Sequence, residues 1–501
     1  MNAESLNWML IIPFAGYIGL TLVVALFARK AMNTSVKSGK GFMAEYYLGG
    51  RSMGPWVLAF TFLATFASAG TFIGYPGLAY RNGLTVVMTG ISQITIAYLA
   101  FAVIGKRMCI LGHRTGALTF TEVMRMRFNH PLLVIGLTVA IILFFGAFMV
   151  AQFAGAARIL QSIAGVPYTT GILLFAGTVA TTVVVGGFRA VAWTDTLQGV
   201  VMIAGILIVI PAFFVLAGGV ETVTAKLYEA DPSFVFGPGP KSWATPMTLI
   251  GFWILWVLLA VGNPSLSMRF LAARDTNTVK RALIIAAVAG TIFYVPMFYF
   301  GAGIATVLPG LKADVAVPQA YLMSVPGWLA GICLAAPFAA VMSTVDSLLL
   351  TSSSALVRDI YQAYVNPKAD PNKLTVASYV VSAIIAVTVL VLALTPPALI
   401  ATVVIYFAGG VTSAFVVPIV AMLYWPKATT WGAIASVYGG IATFLLVDIY
   451  VKNPFGILSY LWGLGASLLL MIVVSRMTRP SENSVLEKFY GRSTLAQSAS
   501  V

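Results

Sequence analysis

Charge is what this sequence has least of. Asp, Glu, Lys and Arg make up only 9% of its 501 residues, against 60% hydrophobic, and the mean hydropathy is +0.95. A soluble globular domain is excluded by that balance. There are two cysteines, Cys109 and Cys333, far apart in the chain, which leaves no disulfide framework and no thiolate metal site. The two histidines, His113 and His130, share one loop with no Cys, Asp or Glu at ligand spacing. No GxxxxGK[ST] stretch occurs, which argues against a nucleotide-driven pump. There is no nucleophile elbow and no acid–base pair on a common helical face, so neither an enzyme nor a cofactor is expected.

What is present is a series of apolar runs long enough to cross a bilayer. They predict spans at about 7–28, 54–80, 85–105, 132–157, 168–187, 190–217, 246–273, 278–308, 326–357, 374–394, 398–424, 429–450 and 455–475. The first has no basic lead-in and no small-residue cleavage site after it, so it reads as a retained helix. This predicts an all-α polytopic membrane protein of about thirteen helices, one transmembrane domain over 1–478 and a disordered cytoplasmic tail over 479–501. The net charge of +14 does not imply nucleic acid, because the cations cluster in alternate loops. Of 29 Lys and Arg, only Arg81, Arg158, Lys226, Lys241, Lys312 and Lys452 fall on the poor side. The positive-inside rule then places the N-terminus outside and the C-terminus inside. In the loop after span 3, Thr119 and Glu122 form a capping box that opens a basic amphipathic helix, expected to lie on the inner membrane surface. The loop 218–245 contains ADPSFVFGPGP and reads as irregular.

Two spans look interrupted. Span 2 holds Gly70, Gly74, Pro76 and Gly77, and span 7 holds Gly262-Asn263-Pro264 near its middle. They lie five spans apart. Interrupted helices at matching positions in two halves point to a secondary transporter built from inverted repeats. The halves are about 54–217 and 246–424, with an extra helix at 7–28 and further helices at about 429–475.

Span 9 carries the densest polar chemistry, AAPFAAVMSTVDSLLLTSSS over 335–354. Ser343, Ser347, Thr351 and Ser354 share one helical face, and Asp346 borders it. Hydroxyls also serve as ordinary contacts between membrane helices. A carboxylate inside the bilayer demands a partner or a function. If span 2 is unwound around Ala64–Ser68, it offers free carbonyl oxygens. With the hydroxyls of Ser343 and Thr344 and the carbonyl of Ala340, they would make an all-neutral Na⁺ site. Asp195, in span 6, reads either as a helix-end charge or as a carboxylate facing span 9. In the latter case Asp195, Ser343, Asp346 and Ser347 form a second cation site or an exit route. Asp448, beside Lys452, reads as interfacial.

Four stretches are similar to the sodium:solute symporter family: EYYLGGRSMGPWVLAFTFLAT, GGFRAVAWTDTLQGVVM, GNPSLSMRFLAARD and AAPFAAVMSTVDSLLLTSSSALVRDIY. The resemblance spans about residues 8–475. It implies a LeuT-type fold of two inverted five-helix repeats and Na⁺-coupled solute uptake in the inner (plasma) membrane, with no cofactor beyond Na⁺. It also implies a sodium site on the carbonyls of Ala64, Ala67 and Ala340 and the hydroxyls of Ser343 and Thr344. The second sodium site of some members would fall on Asp195, Asp346 and Ser347, with Asp346 standing where those members carry Ser. Phe66 stands where the proline symporter has Asp, which weighs against proline. SAGTFIGYPGLAYRNG and FAGAARILQSIAGVPYTTG resemble the sodium/pantothenate branch, whereas LAVGNPSLSMRF and AWTDT resemble it less. The expected solute pocket lies between spans 2 and 7, with Thr65, Ser68, Thr71, Phe72, Gln93, Trp256 and Asn263 as candidates. Expected partners are Na⁺, the bilayer and a small organic solute such as pantothenate, another monocarboxylate, an amino acid or a sugar acid. A passive channel or a transporter-like sensor are the alternatives from other classes.

Overall fold

The computed structural model describes residues 7–38, 42–395 and 397–491, and nearly all of the described chain is helical. Among the described residues, ten helices are long and apolar enough to cross a membrane, or eleven if the bent pair Pro246–Gly262 and Pro264–Ala272 is one span. Two long helical stretches divide at glycines. The apolar run Gly70–Thr115 breaks at Gly83 (φ +72°), where a Cβ would meet the Phe234 carbonyl oxygen at 2.2 Å. The run Tyr168–Leu216 breaks at Gly187 (φ +60°). Both positions need the left-handed freedom of glycine.

Helix starts follow local capping chemistry. Thr245 Oγ1 accepts the Thr248 N–H at 3.2 Å, with Pro246 in the first turn. Asp275 Oδ1 accepts the Thr278 N–H at 2.7 Å, and Thr429 Oγ1 the Gly432 N–H at 3.1 Å. Each such cap is worth about 1 kcal/mol.

Both expected breaks are present. In span 2, helix Pro55–Phe66 stops where Ala67 turns extended (φ −67°, ψ 129°). The chain resumes as a wide turn over Gly70–Gly74 and continues as helix Tyr75–Asn82. In span 7, Asn263 is extended between Pro246–Gly262 and Pro264–Ala272, which meet at 46°. Its Oδ1 accepts the Ser265 N–H at 2.9 Å and so caps the second half. The start of span 2 and the end of span 7 are clasped by backbone. Met53 N–H donates to Ala272 O at 3.4 Å and Arg274 N–H to Met53 O at 3.2 Å.

Span 9 runs through the centre of the bundle. Every residue of helix Ala335–Ser354 is buried. Small residues let its neighbours close in. A Cβ on Gly205 would sit 2.5 Å from that of Ala336. Elsewhere, one on Gly301 would sit 2.5 Å from Pro76 Cα, so the helix Thr276–Ile304 touches span 2 backbone to backbone.

Three expectations change. The helix Phe120–Phe128 is capped by Thr119, as its sequence signals, but it is packed into the protein instead of presenting an open amphipathic face. Seven of its nine residues are buried, among them Arg127, which bonds the carbonyls of Pro426 and Ala428 at 3.0 and 3.1 Å. Glu122 pairs with Arg358 at 3.3 Å, and Thr119 donates to Asp359 at 2.6 Å, locking this helix to the end of span 9. The tail is not featureless: helix Asn483–Tyr490 buries Leu486 and Phe489, and Tyr490 donates to Met422 O at 2.8 Å. Residues 492–501 of the expected tail lie outside the described residues. The loop 218–245 begins with a helix, Val220–Ala230, before its Pro/Gly-rich turns.

Gly301→Val should destabilise the protein by about 1–3 kcal/mol, because neither backbone can retreat. Thermal unfolding in detergent would show a lowered midpoint; an unchanged midpoint would mean that the close approach at Pro76 is not maintained.

Candidate functional site

A helix normally consumes each carbonyl four residues later. The break at Ala67 cancels that arrangement. Ser68 N–H turns to Thr71 Oγ1 at 3.4 Å instead of bonding Ala64 O, so the carbonyls of Ala64 and Ala67 are released toward span 9. Ser343 Oγ meets Ala64 O at 2.8 Å and Ala340 O at 3.1 Å. Thr344 Oγ1 meets Ala67 O at 3.0 Å and Ala340 O at 2.8 Å. All five oxygens expected of the sodium site therefore gather in one place, and all five residues are buried. They carry no formal charge. Three carbonyls and two rotatable hydroxyls suit a hard monovalent cation, whose charge they can bind without holding it permanently. The loose end of the break is fixed from span 4, where Gln152 Oε1 accepts the Ala69 N–H at 2.8 Å.

The same short segment serves a second space. A cavity at the break is lined by Thr65, Phe66, Ser68 and Thr71 from span 2, Gln93 from span 3, and Trp256 and Asn263 from span 7. Six of the seven expected pocket residues line it. Phe72 does not: it is buried edge-to-face on Phe293, 5.6 Å between centroids. Tyr75, Phe148, Leu259, Val404 and Phe407 complete the wall and were not anticipated, since in sequence they look like any apolar packing residue. Gln93 Nε2 is a buried donor at this cavity with no hydrogen-bond partner among the described residues, and the Trp256 indole and Tyr75 hydroxyl face one another without forming a well-aligned hydrogen bond. Such groups are costly inside a protein unless something else bonds them.

Asp195 and Ser347 are also brought together, but around a guanidinium. Arg269, in the second half of span 7, bonds Asp195 Oδ2 at 3.2 Å and the Ser347 hydroxyl through Nη2. Its Nε donates to Thr61 O and Oγ1 at 3.3 and 3.2 Å, and its Nη1 to Ser265 O and Oγ at 2.9 and 3.2 Å. Thr61 also donates to Asp195. The pair is fully buried, with Asp195 0% and Arg269 1% exposed. Asp346 is buried nearby on span 9, and both it and Asp195 act electrostatically on Tyr17 of the first helix. Counting Arg269 as an inner-loop cation missed this network. The available signal was that a buried aspartate in an apolar span requires a cation, and Arg269 is the basic residue nearest the break of span 7 at Asn263.

The profile of the sodium:solute symporter family matches residues 46–440. A sodium/pantothenate symporter of Haemophilus influenzae is 36% identical over 473 residues, covering 91% of this chain and 96% of the relative. The Escherichia coli sodium/pantothenate symporter is 33% identical over 446 residues, covering 88% and 91%. A Na⁺-coupled sialic acid symporter, solved in its substrate-bound outward-open state, superposes with a TM-score of 0.76 at 19% identity, covering 95% of this chain and 99% of that one. Mhp1, a nucleobase-cation-symport-1 family transporter solved in a closed conformation, follows at a TM-score of 0.56 and 16% identity, covering 89% and 98%. Both show the LeuT-type fold that the broken spans imply.

Arg269→Gln should cost about 3–5 kcal/mol by leaving Asp195 buried without its ion partner. Adding Asp195→Asn should recover much of that loss. Unfolding midpoints of the single and double variants in detergent test this; equal loss in both would rule out a coupled pair.

Proposed function

The chain belongs to the sodium:solute symporter family, and from that membership and the geometry of the break in span 2 we propose that it imports an organic anion such as pantothenate, one Na⁺ per solute. That it is a Na⁺-coupled symporter of a small organic solute, a multi-pass membrane protein and not an enzyme follows from the family and the relatives. The solute, the site residues, the stoichiometry and the thirteen-span topology in the inner membrane are this proposal's own. Pantothenate is the solute of the two relatives most alike in sequence among those named above.

The observation that carries the mechanism is the division of labour within Ala64–Ser68. Ala64 and Ala67 direct carbonyls to Ser343 and Thr344, while Thr65, Phe66 and Ser68 line the cavity. A sodium ion held by the five oxygens ties the broken span to span 9 and sets the shape of the cavity wall. The solute then supplies acceptors to Gln93, Trp256 and Tyr75, with Asn263 on the facing break. Each ligand organises the segment that the other needs, so the two bind cooperatively. When the cavity opens inward, the segment moves, the five oxygens separate, and both are released.

Arg269 supports a single sodium. Asp195 and Ser347, two of the expected ligands of a second ion, already hold a permanent positive charge. One Na⁺ with one monoanion moves no net charge.

Ser343→Ala with Thr344→Ala should raise the Na⁺ concentration for half-maximal pantothenate uptake into proteoliposomes at least about tenfold, from the loss of two ligands of order 1 kcal/mol each. Unchanged sodium dependence would remove these oxygens from the site. Uptake should also be insensitive to an imposed potential of 100 mV, which is worth about 2.3 kcal/mol per net charge moved. Strong acceleration by an inside-negative potential would establish a second cation per cycle.

A further inference from the structure

Two hollows flank the end of span 11, one basic and one apolar. Lys106, Arg107 and Arg114 line a cavity of about 280 Å³ with Leu423 and with Phe489 and Tyr490 of the tail helix. No acid lines it. Arg107 and Arg114 stand seven residues apart, on one face of helix Lys106–Thr115. Arg107 donates to the Leu423 carbonyl and lies 3.9 Å over the Tyr424 ring, and Arg114 donates to Lys488 O at 3.1 Å. Among the described residues none of the three cations forms an ion pair. Three positive charges thus face one space, braced by neutral groups and neutralised by none.

The second hollow is a groove of about 560 Å³ between the end of span 11 and helix Ser459–Met477. Val416, Val420, Leu464 and Leu468 are typical of its wall, and Val420 and Leu468 are exposed. Its polar and amphipathic residues, Tyr424, Trp425 and Arg476, come from the ends of the two helices. From Val416 to Tyr424 is about 12 Å along a helix, and from Leu464 to Arg476 about 18 Å. That is the depth of one leaflet, half of a hydrocarbon core of ~30 Å.

Tyr424 joins the two hollows. Its ring forms part of the groove, and the Arg107 guanidinium of the basic cavity rests on that ring. Ala421 lines the groove and the next residue, Met422, lines the cavity. Helix Lys106–Thr115, span 11 and span 13 all end on the face that the positive-inside count makes the inner one.

The geometry points to a bound anionic phospholipid: its phosphate rests among Lys106, Arg107 and Arg114, and an acyl chain fills the groove beside span 11. A free phosphate would use only the basic cavity, and an apolar protein segment only the groove. A molecule with an anionic head and a chain one leaflet long uses both. Basic pockets between helices at the membrane face take such headgroups, with aromatic side chains at headgroup level. The lipid also fastens the tail helix, because Phe489 and Tyr490 form one wall of the headgroup cavity. It fastens it to the span that carries Val404 and Phe407 past the central cavity. The inference is independent of which solute is carried.

The test is equilibrium binding of radiolabelled dioleoylphosphatidylglycerol to the delipidated full chain in uncharged detergent. A saturable class of sites should appear, displaced by unlabelled phosphatidylglycerol but not by phosphatidylcholine with the same chains. Lys106→Gln with Arg114→Gln should raise the Kd at least about tenfold. Both side chains are exposed and Arg107 keeps its hold on Leu423, so this variant should fold with an unchanged thermal midpoint. Val420→Trp, which fills the groove from its exposed side, should raise the Kd several-fold. Inorganic phosphate should displace no more lipid than sodium chloride of equal ionic strength. An unchanged Kd in either variant, or equal displacement by phosphatidylcholine, would overturn the proposal. An unchanged Kd in Val420→Trp together with displacement by phosphate would assign the cavity to a soluble anion instead. A dimer that forms in the same detergent and takes up no phosphatidylglycerol would assign the groove to a second copy of this chain, and would overturn the proposal as well.

Discussion

A backbone inside a bilayer has no water to bond, so a helix cannot open there unless protein groups take over its carbonyls and amides. The break at Ala67 is that kind of opening, and the rest of the structure is arranged to sustain it. Ser343 and Thr344 cover the freed carbonyls, Thr71 takes the Ser68 amide, and Gln152 takes the Ala69 amide. Two hydroxyls of span 9's polar column, Ser343 and Thr344, are matched to the break in span 2. The column's complete burial follows, since hydroxyls facing lipid would have no such work. The oxygens gathered there carry no formal charge, which suits the reversible sodium binding proposed for them.

Charge is scarce in this chain and is concentrated where elements must be held in register. Arg269, on the same helix as Ser265, joins span 7 to spans 2, 6 and 9 through Thr61, Asp195 and Ser347. Arg189 meets Glu45 at 2.9 Å beside the Gly187 break, and Glu122 meets Arg358 where the short helix locks to span 9. Arg127 is buried against two carbonyls beside the docked tail helix. A buried pair of this kind adds little to stability compared with an apolar replacement, but a mispaired charge is expensive. Networks of this sort penalise wrong arrangements of the helices.

The breaks, the five oxygens gathered beside them and six of the thirteen residues lining the cavity were legible in the sequence. Gly and Pro mark places where a helix cannot continue, and hydroxyls three and four apart mark one face. Six of the residues lining the cavity were candidates as polar or aromatic side chains on spans 2, 3 and 7, although each also reads as ordinary packing or a bridge between helices. The rest depends on contacts between distant segments. Nothing near Arg269 in sequence says that Asp195, 74 residues earlier, reaches it. Val404 and Phe407 look like any apolar residue of a span until their helix is seen to pass the cavity. Helix Phe120–Phe128 has the pattern of a surface helix, and only the partners of Glu122 and Arg127 bring it inside. Its polar face was read correctly as a face but assigned to water instead of to protein.

The backbone clasp between Met53 and Ala273 gives the two broken helices a common pivot. The start of span 2 and the end of span 7 are held by two hydrogen bonds that involve no side chain, so substitution leaves the connection intact. From Met53 to the break at Ala67 is about 20 Å along a helix. A lever of that length turns a small swing into a useful stroke: a tilt of about 10° carries the break sideways by ~3 Å, the diameter of a water molecule or a bare ion. The two levers share one fulcrum, and whatever moves one break is geared mechanically to the other.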